Sequence, residues 1–159
     1  EEMDDETWRK SMDINVTSHQ KLLKLCLPYM FQGIDPAIVI IGSKNVSAPG
    51  PGASAYSVAK AGLTQLGRIA ALELGAKGIR VNVLHPNAVF DTGIWTDEIL
   101  EARAHQYGLT VEEYKTNNIL KVEVASKDVA ELAVKMLGDT FSKVTGAQIP
   151  IDGGNERTI

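Results

Sequence analysis

The chain has 159 residues, 44% of them apolar, and a formal net charge of -4, which suits one hydrophobic core and excludes an intrinsically disordered segment. An acidic balance without any Lys/Arg cluster lacks the footprint of a nucleic-acid surface, so small molecules or proteins are the expected partners. A single cysteine excludes an internal disulfide, three scattered histidines argue against a metal site, and no run reads as a signal peptide or membrane span, so a reducing cytoplasm is expected.

The acidic run Asp4-Asp5-Glu6 ahead of Trp8 predicts the first turn of a helix. Trp8, Met12, Val16, His19, Leu22, Leu23, Leu27, Tyr29 and Met30 then keep an apolar face at helical period, with Pro28 expected to bend the last part. Asn15 lies inside this helix and, on propensity alone, faces solvent. Cys26, among Leu22, Leu23, Leu25 and Leu27, reads as a buried helix cysteine and not as a nucleophile.

Gly33 and Pro36 mark a turn, and Ala37 to Ile41 is a continuous β-branched run that predicts a strand covered on both faces, as parallel strands are. Gly42-Ser43 closes it. Lys44 to Ser54 is rich in Gly, Pro, Ser and Ala and reads as a loop at the carboxyl end of a parallel strand, where open α/β sheets place ligands. A helix over about 54–76 follows, with Ala59, Ala61, Gly62, Gly67 and Ala71 permitting close approach of a neighbour. Gly75 and Gly78 end it, and a strand over 79–84 completes a parallel crossover.

Tyr56 and Lys60 stand four residues apart on that helix and share a face. An ammonium beside a phenol stabilises the phenolate, which makes a workable general acid/base near neutral pH. Taken alone, the pair equally fits packing with solvated tips.

His85-Pro86-Asn87 stops the second strand. An irregular stretch over 88–94 leads into a more polar helical segment over about 96–115, broken near Tyr107-Gly108. With Trp95, Ile99, Leu100, Tyr107, Leu109 and Tyr114, the insertion over about 93–118 carries enough apolar surface to read as a lid over a pocket. Ser126 is the expected N-cap of a helix ending at Gly138, and a strand over 145–151 with a turn at Asp152 to Asn155 closes the chain. The expected architecture is α/β over 1–159, with about three parallel strands, flanking helices and a helical lid.

With the elements placed, the chain resembles the short-chain dehydrogenase/reductase family. Tyr56-Ser57-Val58-Ala59-Lys60 matches its Y-x-x-x-K signature. Ser43, thirteen residues earlier at a strand end, matches its serine, and Asn15 in Asp13-Ile14-Asn15-Val16 its helix asparagine. Thr145-Gly146 with Ile151-Asp152-Gly153-Gly154 looks like its last strand and closing turn. The resemblance implies that Tyr56 exchanges a proton with the substrate oxygen while hydride moves to or from an NAD or NADP nicotinamide. It also implies that Lys60 supports Tyr56 and holds the nicotinamide ribose, Ser43 bonds the substrate oxygen, and Asn15 holds a water, which replaces the solvent-facing expectation.

The family pattern after the second strand, P-G-x-V-x-T, contacts the nicotinamide. Pro86 and Val89 match it, Asn87 stands for the glycine, and Asp91 falls on the threonine with Thr92 one step later. The implied cofactor-binding residues are Tyr56, Lys60, Pro86, Val89 and Thr92. Asn87, tolerant of left-handed backbone, is expected to preserve the turn. The asparagine common three residues before the serine is absent here, where Ile40 stands.

A narrower likeness rests on His85 to Trp95, Tyr114 to Asn118 and the ending Gly153-Gly154-Asn155-Glu156-Arg157. These resemble the dehydrogenase part of bifunctional rhamnulose-phosphate aldolase/alcohol dehydrogenase proteins, which implies a hydroxy-aldehyde such as lactaldehyde as substrate and an aldolase domain in the same chain. A complete doubly wound dinucleotide domain takes roughly 250 residues and carries a glycine-rich pyrophosphate turn, so the chain reads as the carboxy-terminal half of a Rossmann-like sheet. By itself it is then expected to be nearly inactive, with an apolar strand edge that favours homo-oligomers. The competing readings are a non-catalytic oligomerisation or scaffold module and a sugar-nucleotide epimerase or dehydratase, which can share Y-x-x-x-K.

Overall fold

The computed structural model describes residues 3–155. Its sheet is built from the β-branched runs: β1 (Ala37–Ile41), β2 (Arg80–Pro86) and β3 (Gln148–Ile151) pair in parallel in the order β1-β2-β3. Ile38 is opposite Val81 and Ile40 opposite Val83, while Leu84 is opposite Ile149. β2 runs two residues beyond its expected end because His85 and Pro86 still have partners in Pro150 and Ile151. β3 begins later than expected because side-chain bonds are interleaved with its first backbone rungs, Gly146 N to Val81 O at 2.7 Å and Val83 N to Ala147 O at 2.9 Å. The Thr145 hydroxyl accepts the Val81 N–H at 3.0 Å, and the Asn82 amide bonds Val144 O and Ala147 N, each at 3.0 Å.

The first helix is not continuous. α1 (Asp5–Met12) starts under an Asp4 cap whose carboxylate accepts the Thr7 N–H at 2.7 Å. It then passes through one π-helical turn, Asp13–Thr17, into α2 (Ser18–Met30), which runs through Pro28. A π turn carries one extra residue and is most often met at functional positions. It turns Asn15 inward to half-buried, with its amide donating to Ser11 O at 3.0 Å, which corrects the solvent-facing expectation.

α3 (Ser54–Leu74) lies on the sheet between β1 and β2. Its small residues set the approach: a Cβ on Gly67 would meet Val83 Cγ2 at 2.9 Å and Ile40 Cδ1 at 3.0 Å. The core joins Leu63, Ala70, Ala71 and Leu74 of α3 to Ile40, Val81 and Val83 of the strands. Leu63 and Val81 are fully buried, each such side chain contributing about 1.5–3 kcal/mol. A 3-10 turn, Gly75–Lys77, and Gly78 at φ 75 end the helix as expected.

β1 is less covered than its composition predicts. It pairs with β2 alone among the described residues, and only Ile40 is fully buried. Ile41 is 39% exposed, and an apolar groove of about 480 Å³ runs past Ile38, Leu22, Leu23, Met30 and Leu137. Cys26 is half-buried on this groove instead of enclosed.

Between β2 and β3 the chain makes α4 (Asp97–Gln106), α5 (Val111–Lys115) and α6 (Ser126–Leu137). Val89 and Val124 form a parallel bridge that closes the neck of the segment between them. The cap of α6 is Ala125, not Ser126 as expected: Ser126 is the first helical residue, and its amide and hydroxyl both donate to the Asp91 carboxylate, at 2.8 and 2.6 Å. Among the described residues no helix is long and apolar enough to cross a membrane. Glu156 and Arg157, part of the narrower likeness, lie outside the described residues.

Candidate active site

The helical period of α3 and the end of β1 assemble the site. Lys60 projects from α3 into the sheet, is 9% exposed, and donates to the Ile41 carbonyl at 3.0 Å. Its nitrogen is 5.8 Å from the centre of the Tyr56 ring, one turn back, and Tyr56 remains 40% exposed. Burial disfavours the ammonium and lowers the Lys60 pKa. His19 on α2 is lowered too, first by burial and then by the Lys60 charge.

Ser43 follows Ile41 by two residues and is buried at the same strand end. Its hydroxyl oxygen accepts the Asn45 N–H at 3.2 Å, capping a 3-10 turn, Lys44–Val46, in what the sequence reads as plain loop. That local bond uses an oxygen lone pair and leaves the hydroxyl proton for a ligand. The serine is held from behind by His85. Its Nδ1 is 3.2 Å from Ser43 N and 3.0 Å from Ser43 O, and its Nε2 is 2.8 Å from Gln148 Oε1. Gly42 makes room for this ring, since a Cβ there would lie 2.6 Å from His85 Nδ1.

Among the expected site residues, Lys60, Tyr56 and Ser43 therefore gather at the carboxyl end of β1. Asn15 packs with the π turn against α3, where Val16 lies 3.7 Å from the Cβ position of Gly62. The Asn15 side chain bonds Ser11 and neither Tyr56 nor Lys60 among the described residues. Pro86 closes β2, and Val89 holds the bridge to Val124. The Thr92 hydroxyl donates to Val89 O at 2.9 Å. Ala88, at φ 51, takes the left-handed conformation that Asn87 is expected to supply; the turn falls one residue later than the family pattern places it.

A cavity of about 300 Å³ opens at Lys44, the residue after Ser43, between the loop after β1 and the insertion. Phe90, Trp95, Tyr107 and Tyr114 form one wall, with Trp95 and Tyr114 rings each within 5.6 Å of the Phe90 ring. Burial raises the Tyr114 pKa, which keeps it a phenol. Lys44, Asn45, Asn87, Asn117 and Asn155 form the polar wall. The closing turn reaches it because Gly153 and Gly154 have positive φ and lie where a Cβ would meet Asn118 at 2.5 Å and Ile119 at 3.0 Å. Sequence reasoning missed Lys44 and His85. The signal for Lys44 was a lone cation next to the serine in an otherwise small-residue loop; for His85 it was a position at the end of a strand parallel to the serine's strand.

A family model described as enoyl-(acyl carrier protein) reductase matches residues 1–156. The uncharacterized oxidoreductase YuxG of Bacillus subtilis is 35% identical over 153 residues, 92% of this chain and 22% of that protein. The short chain dehydrogenase/reductase astE of Aspergillus oryzae is 34% identical over 155 residues, 96% of this chain and 57% of that protein. An NADPH-bound short chain oxidoreductase structure from Pseudomonas aeruginosa, with an atypical catalytic center, matches at a TM-score of 0.85 and 28% identity, over 99% of this chain and 60% of that one. The chain thus spans only part of each of these relatives, but the family model covers nearly all of it, and by that match the chain belongs to the short-chain dehydrogenase/reductase family.

Proposed function

We propose that the protein containing this chain is a nicotinamide-dependent oxidoreductase that interconverts a small alcohol and its aldehyde or ketone. The observation that carries this reading is the buried Lys60 ammonium, 3.0 Å from Ile41 O and 5.8 Å from the Tyr56 ring, at the strand end that also holds Ser43. Lys60 commits one of its three donors to Ile41, so two are available to a ribose diol and the Tyr56 oxygen. The donor set therefore fits the nicotinamide half of an NAD or NADP cofactor. Tyr56 and Lys60 would hold the ribose, with Pro86, Val89 and Thr92 facing the nicotinamide.

The cofactor, when bound, supplies or accepts the hydride. In the reducing direction the Tyr56 hydroxyl gives its proton to the carbonyl oxygen, while the Ser43 hydroxyl donates a hydrogen bond to the same atom as negative charge gathers there. Lys60 stabilises the charge left on the Tyr56 oxygen, and Asn15, on the π turn, supports proton return from solvent. In the oxidising direction each step reverses. The segment over 93–118 serves as the lid that shields the reacting oxygen from water.

Within this class, the residues after β2 and around Tyr114 favour a hydroxy-aldehyde such as lactaldehyde, in a protein that also carries an aldolase domain. Without a glycine-rich pyrophosphate turn of its own, residues 1–159 alone bind a dinucleotide weakly and turn over slowly. Lactaldehyde reduction by the full-length protein, followed by nicotinamide absorbance in wild type and Tyr56→Phe, tests the reading. Turnover lost in the variant supports it; equal turnover in both overturns it in favour of a scaffold role for these helices.

A further inference from the structure

We infer that the substrate of this site carries an oxyanion, a carboxylate or phosphate monoester, beside its carbinol, and that Lys44 is the residue that selects it. This narrows the alcohol and carbonyl class proposed above to anionic substrates, in place of a neutral hydroxy-aldehyde, and rests on that oxidoreductase reading. Lys44 is the chain neighbour of Ser43 and lines the cavity next to it. Its ammonium donates to Asn155 Oδ1, and Asn155 Nδ2 donates to Asn117 O at 2.8 Å, so a relay of amides holds the charge on the cavity wall.

The charge pattern sets the ligand's sign. Among the described residues no acidic side chain lines this cavity, and its single charged residue is Lys44. The ion pairs among the described residues are Lys115–Glu123 and Lys127–Glu131, and Lys44 belongs to neither. An ammonium bonded to one neutral amide keeps two N–H donors, which suits an oxyanion better than a hydroxyl, because charge-assisted bonds are about twice as strong. Asn45 and Asn87 supply amides for hydroxyl groups, and Trp95, Tyr107 and Tyr114 supply a flat apolar wall for the carbon face. Lactaldehyde would occupy the carbinol end and leave Lys44 unmatched.

The test uses the full-length protein, with a Trp95→Phe control that identifies the part of the fluorescence response arising in the cavity. The protein is titrated at fixed ionic strength with glycerol, glycerate and glycerol 3-phosphate, and turnover of the same three is measured with nicotinamide cofactor. At least one anion is expected to bind about 10- to 100-fold more tightly than glycerol. Lys44→Met should remove that advantage, bringing anion affinity down to that of glycerol in the same variant, and Lys44→Arg should retain part of it. The tighter anion identifies whether the oxyanion is a carboxylate or a phosphate. Equal binding of all three, no fluorescence response to any, or an anion advantage that survives Lys44→Met overturns the proposal. Failure of the oxidoreductase reading is separately visible as an absence of turnover with an anion that still binds through Lys44.

Discussion

His85 Nδ1 lies 3.2 Å from the backbone nitrogen of Ser43 and 3.0 Å from its carbonyl oxygen, while Nε2 of the same ring meets Gln148 Oε1 at 2.8 Å. One imidazole therefore ties β1, β2 and β3 together directly behind the serine. With its proton on Nε2, the ring donates to Gln148 and accepts from Ser43. His85→Ala should lower kcat about 10- to 100-fold through displacement of the Ser43 hydroxyl, with little change in KM, and His85→Asn should restore part of the rate. Gly42→Ala should act the same way, since its Cβ would stand 2.6 Å from Nδ1. Wild-type kcat in both His85→Ala and Gly42→Ala would show that the ring does not position the serine.

Lys60 gives a pH signature of folding. Its folded pKa lies below the ordinary 10.5, through burial, so between those values the unfolded chain binds more protons than the folded one. Stability should therefore rise as pH rises through the folded pKa toward the unfolded one. Lys60→Met should remove that rise and lower kcat by about 100-fold or more. Urea denaturation across alkaline pH checks the slope; an identical slope in both proteins would contradict the burial argument.

Asp91 holds the root of the insertion. Its pKa is lowered first by the Ser126 side-chain bond and then by the Ser126 backbone bond, so the stability it adds is present above the ordinary carboxyl range and is lost as pH falls through the folded value. Asp91→Ala should lower Tm at neutral pH and leave Tm unchanged at a pH low enough to protonate the wild-type carboxyl. A Tm deficit equal at both pH values would mean that the carboxylate contributes nothing through Ser126.

The open edge of β1 predicts association of the 159-residue chain by itself. Ile41 and Leu22, 39% and 60% exposed, border an apolar groove next to a strand edge that no other strand among the described residues pairs. Light scattering at rising concentration should show mass above a monomer, and Ile41→Lys should reduce it. A strictly monomeric chain at high concentration would contradict this.

The Tyr56 and Lys60 spacing, the parallel strands and the Gly-marked end of α3 were legible because they depend on local period and on Gly and β-branched composition. The π turn was not, since residue 15 sits in a sequence whose apolar spacing reads as unbroken helix and hydropathy does not register one extra residue. The turn at Ala88 was misplaced by one residue because propensity favours Asn for positive φ, and here the register of β2 on β3 and the Val89 bridge determine where the chain must reverse. Asp91 with Ser126, His85 with Ser43, and Lys44 with Asn155 join residues 35, 42 and 111 positions apart, and such pairings exist only once the fold brings them together.

We propose Tyr56 as the proton carrier at the end of β1, where Lys60 bonds Ile41 and Ser43 follows two residues later. The most direct measurement of that role is the single-turnover rate of nicotinamide oxidation by a carbonyl substrate in the full-length protein, compared between wild type and Tyr56→Phe. The account predicts a fall of about 100-fold or more with substrate affinity retained. A Tyr56→Phe protein that turns over at the wild-type rate would contradict it.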